Sequence, residues 1–139
     1  VADVVSVSAD FQATTDGTSN LTYSGQSGVQ LTPYLTATTL DFPASFASVD
    51  NAASTANGGF ATIHVPINTM SGGVTTYKVQ HSANDVSWAD LITFSTVAAA
   101  TTTSELKAVS GTVNRYIRVT GTTAASSGAL TTMVSFARF

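Results

Sequence analysis

Phe60-Ala61-Thr62-Ile63-His64-Val65-Pro66-Ile67, then Ser71-Gly72-Gly73, then Thr75-Thr76-Tyr77-Lys78-Val79-Gln80-His81: this run decides the fold. In its first part Ile63, Val65 and Ile67 take alternate positions. In its last part Tyr77, Val79 and His81 do the same, opposite Lys78 and Gln80. Side chains two residues apart lie on one face of a strand, so each part reads as a strand with one buried and one exposed face. The paired glycines between them supply a turn.

The same grammar continues toward the C-terminus. Ser82 to Asp90 reads as a polar loop holding Trp88, and Leu91 to Phe94 as a short strand. Ala98 to Thr103 is a connection of small residues. Leu106–Val109, Arg115–Thr120 and Leu130–Phe139 complete the set, with Gly111 and Ser126-Ser127-Gly128 as punctuation. Toward the N-terminus the pattern is looser. Val5, Val7, Ala9 and Phe11 alternate, Leu21, Tyr23 and Val29-Gln30-Leu31 suggest short strands, and Thr36 to Phe42 is a Thr-rich strand that Pro43 ends or places at an edge. Residues 45–59 are Ala-, Ser-, Asn- and Gly-rich and read as a long loop. Strands recurring every ten to fourteen residues or so, with turn chemistry between them, point to an all-β fold: one antiparallel, jelly-roll-like β-sandwich over 1–139, with residues 1–12 as an extended N-terminal arm. No amphipathic stretch long enough for a helix appears, which excludes a parallel α/β architecture.

Composition agrees and narrows the function. Of 139 residues 43% are hydrophobic, yet only 9% are charged, against about 25% in ordinary globular domains. The polar remainder is largely Thr, Ser, Asn and Gly, and Thr suits a pleated, half-exposed surface. A free monomer keeps charge on its surface for solubility, so a surface this poor in charge suits a chain held in an assembly, and equally a secreted bacterial or viral domain with Thr-rich strands. The net charge of −3 leaves no basic stripe for phosphates, which excludes nucleic acid as the partner. No apolar run approaches the roughly 18–20 residues of a membrane span. The chain has no cysteine, hence no disulfide and no thiolate metal site.

The residues Tyr77–Ser82, Asn84-Asp85-Val86-Ser87-Trp88-Ala89-Asp90-Leu91 and Asn114-Arg115-Tyr116-Ile117-Arg118-Val119 resemble the strand–turn–Trp–strand pattern of discoidin-like and galactose-binding-like sandwiches. There, Trp88 is expected to fold back over the sheet as a large apolar plug. With Asn57–Val65, Gly111–Tyr116 and the ending Val134-Ser135-Phe136-Ala137-Arg138, the stretch from about residue 50 to 139 is similar to a group of tailed-bacteriophage structural proteins. The resemblance implies a non-enzymatic virion component on the outer capsid surface: a capsid decoration (cement) protein bridging major capsid subunits, or a tail-tube or tail-decoration protein. It also implies a homo-oligomer such as a trimer. Val4, Val5, Val7 and Phe11 of the arm, and the terminal Phe139, are the expected partner contacts, the arm by strand addition.

Tyr77, Trp88 and Tyr116 form the alternative. As an exposed aromatic platform they would suit a carbohydrate-binding or adhesin-like module, although aromatics at strand positions are more often core. No catalytic motif is present: no Gly-x-Ser-x-Gly elbow, no P-loop and no Gly-x-Gly-x-x-Gly. His64 and His81 lack the spacing of a metal pair, and the acidic residues are scattered at turns, with Glu105 the single Glu. No enzyme activity, cofactor or metal is expected.

Overall fold

The computed structural model describes residues 45–139 in full and residues 20–23, 26–30 and 35–38 by their strand pairing. Val4, Val5, Val7 and Phe11 lie outside the described residues. Eleven strands are described: β1 (Asn20–Tyr23), β2 (Gln26–Gln30), β3 (Leu35–Thr38), β4 (Val49–Asp50), β5 (Gly59–Asn68), β6 (Val74–Ser82), β7 (Ala89–Thr93), β8 (Val97–Ala98), β9 (Thr103–Val109), β10 (Tyr116–Thr123) and β11 (Ala129–Arg138). They form two antiparallel sheets. One has the order β1-β2-β11-β5-β9, with β3 also on β11; the other has the order β4-β10-β6-β7, with β8 on β6. The fold is an all-β antiparallel sandwich.

Alternation builds the core between the layers. Ala61, Ile63 and Val65 of β5 and Leu130, Val134 and Phe136 of β11 are buried from one sheet. Tyr77 and Val79 of β6, Ile92 of β7 and Ile117 and Val119 of β10 are buried from the other. Each large side chain so placed contributes roughly 1.5–3 kcal/mol of apolar burial. Met70, Phe94 and Val113 from the connections and Val97 of β8 join the same core.

Ser71-Gly72-Gly73 is a turn, and it carries the chain from one sheet into the other: β5 and β6 do not pair. Gly73 has φ +72°, and a Cβ there would collide with the Ala124 carbonyl oxygen, so the crossing needs glycine.

Ile67 departs from the expected face. Between the pairs Thr131↔Ile67 and Met133↔His64 the register shifts, because β5 carries one extra residue there. Pro66 sits in that bulge, where its missing N–H costs no ladder bond. Beyond it the alternation inverts, and Ile67 is 55% exposed. The loop expected over 45–59 is partly strand. It contains β4, which pairs with β10, and single bridges join Ser45 to Thr120 and Thr55 to Val113.

One open side of the sandwich is latched by polar groups. Glu105 of β9 accepts from the Ser95 N–H and hydroxyl, each at 2.8 Å, and Lys107 donates to the Thr93 carbonyl at 2.8 Å.

Candidate functional site: the outer face of the β4-β10-β6-β7 sheet

The residues that alternate away from the core on β6 and β10 meet across the ladder. Arg118 lies opposite Gln80, Thr120 opposite Lys78, and Thr122 opposite Thr76; on the other side of β6, Gln80 pairs with Asp90 of β7. Three strands thus bring one polar row together. Lys78 Nζ donates to Asp90 Oδ2 at 2.7 Å and Gln80 Nε2 to Asp90 Oδ1 at 2.8 Å. Arg118 Nε and Nη2 donate to Gln80 Oε1 at 3.0 and 2.9 Å. The amide of Gln80, then the ammonium of Lys78, hold the Asp90 carboxyl below its ordinary value. A shallow groove of about 220 Å³ runs along this row, lined by Thr76, Lys78, Gln80, Arg118, Thr120 and Thr122.

Trp88 closes the row at one end. It arrives from the loop after β6, which Asn84 organises: its Oδ1 accepts from the Ser82 hydroxyl and from the N–H groups of Val86 and Ser87 at 2.9–3.0 Å. Asp85 takes the left-handed conformation, φ 60°, that the turn requires. Trp88 is half-buried, and the Arg118 guanidinium carbon sits 4.1 Å from its ring centroid, a cation–π stack. Trp88 therefore packs on the outside of the sheet and is absent from the core cluster.

The other two platform aromatics lie elsewhere. Tyr77 is 2% exposed, its ring is in the core, and its hydroxyl donates to Thr132 Oγ1 at 3.0 Å across the two layers. Burial pushes its phenol up to about 12, although the Thr132 hydrogen bond pulls the other way. Tyr116 is half-buried beside Arg115, whose guanidinium lies 5.0 Å from the ring centroid. Arg115 also grips Asp50 through two bonds of 2.6 Å, tying β4 to the sheet, and that grip holds the Asp50 carboxyl at about 2.

Phe139 is 47% exposed; its ring leans on Phe60, 5.7 Å between centroids, and its N–H donates to the Gly58 carbonyl. His64 and His81 lie on different sheets. Burial, then the Arg138 charge, pushes His81 down, and its Nδ1 accepts the Asn114 N–H at 3.2 Å. The Arg138 guanidinium donates to Thr55 Oγ1 and to the carbonyls of Val113, Asn114 and Arg115, which fastens that connection to the end of β11. Among the described residues no three His, Asp or Glu side chains group as metal ligands.

The polar row was visible in the sequence only as outward positions. Lys78 and Gln80 fall opposite Tyr77, and Arg118 falls on one face with Tyr116, but which of them meet depends on the β10–β6–β7 register. Asp90, a turn residue by pattern, is drawn into the row by a bulge. The register shifts between the pairs Val79↔Ile92 and Gln80↔Asp90.

No protein-family model matches the chain, and no curated protein matches it. Among solved structures, the chain is similar to a truncated AlyQ with CBM32 and alginate lyase domains: 17% identity, TM-score 0.48, covering 99% of this chain and 32% of that one. The chain thus spans about a third of that protein's length. It is similar to the CBM32 of AlyQ in complex with 4,5-unsaturated mannuronic acid (19% identity, TM-score 0.39, 68% of this chain and 76% of that one). It is also similar to a chain in the structure of the infectious bursal disease virus Gx strain (15% identity, TM-score 0.39, 79% and 30%). Likeness at this level carries no functional argument.

Proposed function

We propose that the chain is a non-enzymatic structural component of a tailed-phage virion, a capsid decoration protein that sits on the outer shell and bridges major capsid subunits. The observation that supports this most is how little of the candidate face is left open to a small ligand. Its polar row is satisfied internally from Lys78 to Arg118, the Trp88 and Tyr116 rings already carry guanidinium groups, and the groove is shallow. A rigid slab of this kind suits contact with a broad protein surface. The low charge and the resemblance of residues 50–139 to virion proteins point the same way. A tail-tube or tail-decoration role uses the same surfaces and differs in location.

The test is co-sedimentation of the purified chain with capsid shells, and separately with tails, of the phage from which it comes. Saturable binding to shells at a fixed ratio to capsid subunits is expected. Binding to tails alone would replace decoration with the tail role, and binding to neither would overturn the virion reading.

The second reading is a carbohydrate-binding or adhesin-like module. What favours it is that Trp88 stays partly exposed on Arg118, which itself lines the groove with hydroxyl and amide groups. A glycan array with wild type and Trp88→Ala decides it: a defined set of glycans bound by wild type and lost in the variant would favour this reading.

A further inference from the structure

Strand β9 is the outer strand of the six-stranded sheet. Its ladder runs to β5, and among the described residues nothing pairs with its other edge. Such a row of backbone N–H and C=O groups is a template for another strand, and native edges are commonly guarded by proline, by outward charge or by charged residues that point inward. This edge has no proline and no outward charge, and its one guard is a pair of inward charges that neutralise each other. Its two charged residues, Glu105 and Lys107, turn toward the other sheet, to Ser95 and Thr93. The residues that face outward, Ser104, Leu106 and Ala108, are uncharged and exposed, Leu106 at 63%.

We propose that β9 pairs with β9 of a second copy in an antiparallel two-fold seam centred on Leu106. The strand Thr103-Ser104-Glu105-Leu106-Lys107-Ala108-Val109 is its own complement. With Leu106 on the dyad, Glu105 lies opposite Lys107 of the second copy, and Lys107 opposite its Glu105. Opposite charges placed directly across a ladder stabilise it, and like charges destabilise it. Registers that keep the two inner faces together move by two residues in the pair sum. One such neighbour sets Glu105 against Glu105, and the other sets Lys107 against Lys107. Within each copy Glu105 and Lys107 already pair at 3.3 Å, and the register on Leu106 alone among these closes the two pairs into one alternating set of four charges, so charge complementarity selects a second copy as the occupant and fixes how it sits. On the outer face Ala108 lies opposite Phe60, on which Phe139 leans, so the seam joins two apolar patches through the Leu106 pair. The two sandwiches then share one continuous sheet, a closed isologous dimer. This inference does not depend on what the wider assembly is.

Leu106 is exposed, so charging it leaves the fold of one copy intact. Sedimentation equilibrium of the full chain is expected to give twice the 14.2 kDa of one chain. Leu106→Lys and Leu106→Glu, which set like charges on the dyad, are each expected to lower self-association at least about tenfold. An equal mixture of the two is expected to recover the dimer. In addition, Leu106→Cys, in a chain with no cysteine of its own, is expected to crosslink under mild oxidation far faster than Val86→Cys, which is 78% exposed on the loop before Trp88. A wild type that remains one chain in mass through the micromolar range would overturn the proposal. So would single variants as dimeric as wild type, or equal crosslinking at the two positions.

Discussion

Tyr77 holds a phenol between the two layers with Thr132 as a partner, and this makes stability sensitive to alkali. In the unfolded chain a tyrosine ionises near pH 10, whereas in the fold Tyr77 keeps its proton to about 12. Below pH 10 both states are neutral and the contribution is complete. Between 10 and 12 the unfolded state loses its proton first, so stability falls as pH rises, by roughly 2–3 kcal/mol in all. Tyr77→Phe removes this alkaline loss but strips Thr132 of the phenol, at about 1 kcal/mol near neutral pH. Urea unfolding of both proteins from pH 8 to 12 should show the wild type falling toward, and then below, the variant. Parallel curves would refute it. At this scale the sequence was informative about faces and silent about neighbours. Alternation alone put Tyr77 with Val79 and away from Lys78 and Gln80. Nothing in the spacing told that Arg118 would settle on Trp88, because that contact joins a strand to a loop some thirty residues earlier in the chain.

Strands and turns were legible where a residue's neighbours in sequence determine its conformation, and less so where a distant partner does. Asn84-Asp85 was readable as a turn because Asn and Asp side chains bond their own following backbone, and Asn84 does so with Val86 and Ser87. The face of Ile67 was not readable, since a bulge exists only relative to the β11 register. Nor was β4, a two-residue strand held by its pairing with Tyr116 and Ile117 and by the Arg115–Asp50 grip. The loop carries its own prediction. Asn84→Ala removes the acceptor for three donors, one of them the Ser82 hydroxyl, and is expected to destabilise the protein by about 1–2 kcal/mol. Because Trp88 is the single tryptophan, its emission should shift to the red as the loop releases it from Arg118. An unchanged spectrum and melting temperature would show that the loop is held by something other than Asn84.

At the scale of the molecule, two layers were legible from composition and turn spacing, but not the order of strands within them. The six-stranded sheet is organised around its last strand. β11 joins β5, some seventy residues earlier in the chain, to β2 and β3, and it is buried along nearly its whole length. Pairing across such sequence distances means that loop-closure entropy is lost before contacts compensate it, which places folding in the range of milliseconds to seconds. It also makes the fold depend on residues at the end of the chain. Removal of residues 129–139 takes away Leu130, Val134 and Phe136 from the core and leaves β5 without its inner neighbour. The truncated chain is expected to show no cooperative thermal transition. By contrast, loss of Phe139 alone removes a half-exposed ring and one backbone bond, a change of about 1 kcal/mol or less. Leu130→Ala, a single cavity at the same strand, should lie between these, at about 2–5 kcal/mol. If the truncated chain melted cooperatively, β11 would be an addition to an already stable sandwich and not the strand that completes it.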